Sequence, residues 1–232
     1  MIELFPEGFE EVDQEGGVEL AAYTDPAGEE RLWAAFGGAR SDEVADGWEE
    51  RWRAFHRPVR VGPLWIGPPW EEPDAGAIAV VIEPGRAFGT GSHATTRLCL
   101  ELLLDLPRGS LLDVGCGSGV LSIAAAKLGF EPVAAVDVDA NAIEATLHNA
   151  AANRVGVDAR LADALADELP PAVAAVLNVA LDLDRAIAAR LDCERLITSG
   201  YLAAEAPSLP GYRRERRREA EGWAADLHIR TQ

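Results

Sequence analysis

Leu111-Leu112-Asp113-Val114 runs directly into Gly115-Cys116-Gly117-Ser118-Gly119, and a later apolar run from Val133 to Val136 ends at Asp137. A short strand, a glycine-rich turn, a helix over Leu121–Leu128 and a second strand form a βαβ unit, whose crossover makes the strands parallel in one sheet. Glycines in the turn lack a Cβ and tolerate positive φ, so the backbone can approach a ligand closely. Asp137 stands 20 residues after Gly117, the spacing at which such a unit sets a carboxylate beside the two hydroxyls of a ribose. Loop and acid together read as a nucleoside site. An ordinary tight turn is the alternative, and the acid at the end of the second strand argues against it.

One detail of the loop selects the nucleoside. A dinucleotide fingerprint carries a third glycine three residues after the second; here Val120 stands in that place and Gly119 comes one residue early. No pyrophosphate cradle is implied, which disfavours a nicotinamide dehydrogenase. Asp113, close ahead of Gly115, would repel a phosphate and suits an ammonium group. The expected ligand therefore carries an amino-acid head, as S-adenosylmethionine does.

Strands are expected at Leu64–Ile66, Ile78–Glu83, Ala159–Leu161, Val173–Asn178 and Arg195–Thr198, and helices at Thr95–Leu106 and Ala140–Asn153, the second capped by Asp139. Tyr212–Glu219 and Trp223–Arg230 meet at Glu221-Gly222 and read as a hairpin closing the sheet, with the basic run Arg213–Arg218 as its solvated edge. The expected class is α/β, with a mostly parallel sheet over residues 73–232. Residues 46–72 read as a linker with Trp48, Trp52 and Phe55 on one helical face, stopped by Pro58, and then a strand. Residues 1–45 read as a small unit too short to stand alone, with strands at Val18–Tyr23 and Arg31–Phe36 around Asp25-Pro26-Ala27-Gly28.

Charge narrows the partners. The chain carries −18 overall, and residues 1–50 hold fifteen acids against only Arg31 and Arg40, a net of −13. Such a surface repels nucleic acid, which needs clustered Lys and Arg, and attracts a basic partner; a merely solvated acidic face is the alternative. Cys99, Cys116 and Cys193 show no metal-ligand spacing. Nothing resembles a signal peptide or a membrane span, so a cytoplasmic monomer is expected.

A second motif lies upstream, Glu83-Pro84-Gly85-Arg86-Ala87-Phe88-Gly89-Thr90-Gly91-Ser92-His93-Ala94-Thr95-Thr96. Gly89 and Gly91 permit an irregular loop against a ligand. The hydroxyls of Thr95 and Thr96 fall at a helix start, where they cap it or reach a bound group. His93 reads as a structural hydrogen-bonder ahead of a general base. With the Asp-Val-Gly-Cys-Gly-Ser-Gly loop, the Leu-Ser-Ile-Ala-Ala-Ala-Lys-Leu-Gly helix and Val-Asp-Val-Asp-Ala-Asn-Ala-Ile, this segment resembles the ribosomal protein L-eleven methyltransferases (PrmA type). The resemblance runs from about Trp48 to the carboxyl terminus.

It implies a Rossmann-like class I methyltransferase with a seven-stranded sheet ending in an antiparallel hairpin, plus a reduced N-terminal α+β unit for substrate recognition. It also implies S-adenosylmethionine as methyl donor, a basic ribosomal protein as partner, and Thr96, Gly115, Asp137 and Asn178 as contacts to the donor. Gly117 joins them as the centre of the glycine loop, and Phe88 as an apolar wall of the acceptor pocket. Asn178 ends a strand at the carboxyl edge of the sheet, where α/β folds bind ligands, although it is equally placed to cap the next helix. The chain departs from the family in its short amino-terminal unit and in Val179-Ala180-Leu181, where the family carries Ile-Leu.

Methyl transfer from a sulfonium is an in-line displacement, which requires alignment and removal of water. A lysine ammonium has no lone pair, and an apolar pocket helps it lose a proton by lowering its pKa. No catalytic acid–base pair and no metal are therefore expected. Asn178-Val179-Ala180-Leu181 stands where base-flipping amine methyltransferases carry Asn-Pro-Pro-Tyr or Asp-Pro-Pro-Tyr. The expected reaction is methylation of amino groups, on lysine or at the N-terminus, of ribosomal protein L-eleven. The alternatives are a methyltransferase of another protein or a small molecule, or a non-catalytic S-adenosylmethionine-binding module.

Overall fold

The computed structural model describes residues 10–14, 17–21, 26–36, 56–84, 89 and 91–231, and the chain divides into a unit of residues 1–52 and one of residues 53–232. In the first, β1 (Glu10–Gln14) pairs antiparallel with β2 (Gly17–Ala21), and α1 (Pro26–Phe36) follows. The strand expected at Arg31–Phe36 is therefore helix, and the hairpin partner of β2 precedes it in the chain. Asp25-Pro26 reads as a turn but is equally a helix start, because proline at the first helical position gives up no hydrogen bond. Ala, Glu, Arg and Leu over residues 27–35 then favour helix. The amphipathic helix expected around Trp48, Trp52 and Phe55 lies outside the described residues.

The second unit begins with β3 (Val59–Val61), β4 (Leu64–Gly67) and β5 (Ile78–Val81), a three-stranded sheet in that order, antiparallel and then parallel. β3 and β4 come from the segment read as a linker, yet Val61, Leu64 and Ile66 are fully buried in one core with Leu98 and Leu102 of α2 (Ala94–Asp105). The main sheet follows: β6 (Leu111–Val114), α3 (Val120–Lys127), β7 (Val133–Asp137), α4 (Ala140–Asn153), β8 (Asp158–Leu161), β9 (Ala174–Asn178), α5 (Leu181–Ala188), β10 (Arg195–Leu202), β11 (Tyr212–Ala220) and β12 (Trp223–Arg230). Its order is β11-β12-β10-β9-β6-β7-β8, parallel from β10 to β8, with β12 antiparallel to β10 and β11 antiparallel to β12.

Alternation along the strands sends Leu111 and Leu112 to opposite faces, so the sheet has two cores. One contains α2 and α3; the other sets Leu112, Leu177 and Leu196 against Ile187 and Ala188 of α5. The chain moves outward from β6 through β7 to β8 and then returns to β9 on the other side of β6. That reversal leaves a crevice at the carboxyl ends of β6 and β9. β11 is the sheet's edge strand, and its arginines pair with acids of α2: Arg216 with Asp105, and Arg218 with Asp105 and Glu101.

Beneath α5 lies a buried acidic pair. Asp184 of α5 is fully buried, and neither carboxylate oxygen has a hydrogen-bond partner among the described residues. Asp226 of β12 is fully buried too; its Oδ2 accepts from the Tyr201 hydroxyl at 3.1 Å, with Arg217 Nη1 3.6 Å away. Burial, reinforced by the charge of Asp226, pushes the Asp184 carboxyl up to about 8. The unfolded chain holds that proton only below about pH 4, so between about pH 4 and 8 the fold binds a proton that the unfolded chain does not. Stability from this group is full at the acid end and falls as pH rises through that window. Asp184→Asn is expected to stabilise the protein at pH 7.5 by about 1–2 kcal/mol, with the gain vanishing near pH 4. Thermal melting of both proteins at the two pH values checks this, and a less stable variant at pH 7.5 would contradict it.

Candidate active site

The glycine turn after β6 is held from three directions. The Gly115 and Cys116 amides donate to the Val136 carbonyl at 2.8 and 3.2 Å, tying the turn to the end of β7. The Gly117 amide donates to Asp137 Oδ2 at 3.0 Å, and the other oxygen of that carboxylate accepts from the Asp139 amide at 3.0 Å. Thr146 of α4, fully buried, donates from Oγ1 to the Gly117 carbonyl at 3.0 Å. The acid and the loop, 20 residues apart in sequence, thus meet at one half-buried carboxylate.

Asp113 has a different task from the one its position suggests. Its side chain is buried, and Oδ2 accepts from the Ser122 amide at 3.1 Å and from Ser122 Oγ at 2.6 Å. That oxygen caps the first turn of α3 from below and does not wait for an ammonium group. Burial raises its carboxyl to about 6 despite both hydrogen bonds.

Register places the remaining residues beside the loop. Val114 pairs with Leu177, so Asn178 emerges next to Gly115. Gly115 has φ +75°, and a Cβ there would lie 2.6 Å from Val179 Cγ1, so this turn requires glycine. Asn178 Nδ2 points to Thr96 Oγ1 of α2 at 3.5 Å, across 82 residues. It does not cap the following helix, whose N-cap is Ala180 with no side-chain capping bond. Thr96, Gly115, Gly117, Asp137 and Asn178 therefore line one arc at the carboxyl ends of β9, β6 and β7. Phe88 lies outside the described residues. His93 caps α2, its Nδ1 2.8 Å from Thr95 Oγ1, with its ring edge-on to Trp223. That geometry is a structural role.

Beyond Asp137 the rim is apolar: Val138 and Leu161, at the ends of neighbouring strands, are 70% and 60% exposed. The Cys116 thiol, pushed up to about 12 chiefly by burial, stays protonated and is no nucleophile. No three His, Cys, Asp or Glu side chains gather as a metal site among the described residues. Sequence reasoning missed Thr146, Asn149 and Asn153, all buried on α4. Their spacing of i, i+3 and i+7 puts three polar groups on one helix face, a signal that was open to reading.

The strand order, with its antiparallel β12, the glycine turn after β6 and the acid ending β7, defines the Rossmann-like methyltransferase class. A sequence model described as "Ribosomal protein L11 methyltransferase (PrmA)" matches residues 29–225, and the chain belongs to that family. The ribosomal protein L11 methyltransferase of Methylococcus capsulatus is 40% identical over 236 residues, covering 94% of this chain and 79% of the relative. That of Symbiobacterium thermophilum is 39% identical over 199 residues, 79% of this chain and 66% of the relative. Against that of Shewanella piezotolerans the identity is 47% over 137 residues, and the match spans 46% of the relative's length. The crystal structure of the ribosomal protein L11 methylase from Lactobacillus delbrueckii subsp. bulgaricus superposes with a TM-score of 0.67 at 28% identity, covering 76% of this chain and all of that one.

Proposed function

We propose that this chain transfers methyl groups from S-adenosylmethionine to amino groups of ribosomal protein L-eleven, on lysine side chains, the N-terminal amine or both. The observation that carries the reading is the Asp137 carboxylate at the end of β7, bonded to the Gly117 amide of the turn that follows the neighbouring β6. Carboxylate oxygens each accept more than one hydrogen bond, so Asp137 retains capacity for two ribose hydroxyls. Val138 and Leu161 offer apolar surface to a purine, and the glycine turn leaves room for the amino-acid end. S-adenosylmethionine, when bound, supplies an electrophilic methyl group on a sulfonium.

The chain's own residues then have positional tasks. Asn178 and Thr96 face the crevice from the β9 side, where the acceptor amine must enter, and each presents neutral polar atoms. An amine drawn out of water into the crevice loses a proton more easily than in solution, and its lone pair can align for in-line attack. No side chain need act as a general base. The same reading makes the protein a cytoplasmic monomer without direct nucleic-acid contact. No helix among the described residues is long and apolar enough to cross a membrane.

Residues 1–45 are proposed as the docking surface for the basic substrate, and residues 73–232 as the part that carries out methyl transfer, with β3 and β4 of the connecting 46–72 packed into the same core. The −13 charge of residues 1–50 should speed association at low salt and lose that advantage as the Debye length shrinks to about 3 Å near 1 M. Deleting residues 1–45 is expected to slow methylation of L-eleven by about tenfold or more at low salt while S-adenosylmethionine affinity stays unchanged. A folded truncated protein that methylates as fast as the full chain would place recognition in residues 46–232. Mass spectrometry of L-eleven from cells with and without the gene tests the reaction itself.

A further inference from the structure

The buried polar face of α4 reaches beyond the glycine loop. Asn149 donates from Nδ2 to the Ser118 carbonyl at 2.9 Å, and its Oδ1 accepts from the Glu83 amide at 3.1 Å. Ser118 Oγ in turn donates to the Gly89 carbonyl. Ser118 of the glycine loop is thereby tied, through Asn149, to Glu83 after β5 and, directly, to Gly89 ahead of α2 and its Thr96. One turn further along α4, Asn153 anchors β5 itself, its Oδ1 accepting from the Val81 amide at 2.9 Å and its Nδ2 donating to the Val81 carbonyl at 2.5 Å. The Asn149 amide donates from one end and accepts at the other, and the residue is almost fully buried. A replacement that loses the donor half leaves the carbonyl of buried Ser118 unpaired.

The glycine loop does not need this tie for its own shape. Asp137, Thr146 and the Val136 carbonyl already hold it at Gly115, Cys116 and Gly117. The tie instead sets where Glu83 and Gly89 stand relative to the loop. We propose that Asn149 and Ser118 are positioning residues for methyl transfer. They keep the lead-in to α2, and so Thr96 on the acceptor side, in register with the donor-side arc of Gly115, Gly117 and Asp137. This rests on the reading of the crevice as an S-adenosylmethionine site.

The test uses the full chain and the variants Ser118→Ala and Asn149→Asp. Ser118→Ala removes only the bond to Gly89. Asn149→Asp keeps an acceptor for Glu83 and loses the donor to Ser118. Three quantities are measured: calorimetric affinity for S-adenosylhomocysteine, hydrogen exchange of a peptide spanning residues 83–92, and kcat and KM with L-eleven. In both variants the affinity is expected to stay within about threefold of the unaltered chain, exchange in that peptide to rise about tenfold, and kcat to fall about tenfold with KM little changed. Ser118→Thr, which keeps the hydroxyl, is expected to restore kcat. Unchanged kcat in Ser118→Ala and Asn149→Asp, with or without a lower melting temperature, would reduce the tie to a stabilising role and overturn the proposal. Failure of the unaltered chain to bind S-adenosylhomocysteine would instead overturn the cofactor reading beneath it.

Discussion

Gly117→Val is expected to abolish S-adenosylmethionine binding in a protein that still folds. Gly117 has φ +54°, a region where a β-branched residue is strained by roughly 1–2 kcal/mol. Its amide and carbonyl are both engaged, by Asp137 and Thr146. Valine can relieve the strain only by moving the turn and releasing the Asp137 carboxylate, and its side chain adds bulk where the ligand must pass. The combined loss should exceed ~3 kcal/mol, or about a hundredfold in affinity. The strands and both cores lie outside this turn, so circular dichroism should be unchanged while calorimetric titration becomes flat. Normal binding by the variant would mean that the loop does not face the ligand.

Asp137→Ala is expected to weaken binding by about thirtyfold or more, equivalent to roughly 2–4 kcal/mol for two charge-assisted hydrogen bonds. The carboxylate is also an internal strut, since it accepts from the Gly117 and Asp139 amides. Both amides are near enough to the surface for water to replace it, so the cost to the fold should be small. Asp137→Asn separates the two roles: it keeps the side chain's size and one acceptor while losing the charge, and its affinity should fall between those of Asp137→Ala and the unaltered chain. A folded Asp137→Ala protein with unchanged affinity would remove the ribose assignment.

The parallel core was legible because its strands are written as short apolar runs, Leu111–Val114 and Val133–Val136, punctuated by glycine and aspartate. α1 was misread because Asp25-Pro26 begins a turn and a helix with the same letters. α5 was given no bounds, since its N-cap is Ala180 with no side-chain capping bond and only Asp182 and Asp184 in the first turn mark its start. β1 was hidden because Glu-Glu-Val-Asp-Gln has a single apolar residue. In the site, local spacing sufficed for Asp137 and the glycine loop, which share one βαβ unit. It could not say which way the Asp113 side chain turns, and that residue proved to hold Ser122. Nor could spacing join Thr96 to Asn178, whose meeting depends on the crossover from β8 back to β9.

The most direct measurement incubates the purified chain with S-adenosylmethionine and unmodified ribosomal protein L-eleven, then determines intact and peptide masses of the substrate. The account predicts methyl equivalents on lysine side chains or the N-terminal amine of L-eleven, absent with Gly117→Val and much reduced with Asp137→Ala. A chain that binds S-adenosylhomocysteine yet leaves L-eleven unmodified would contradict it.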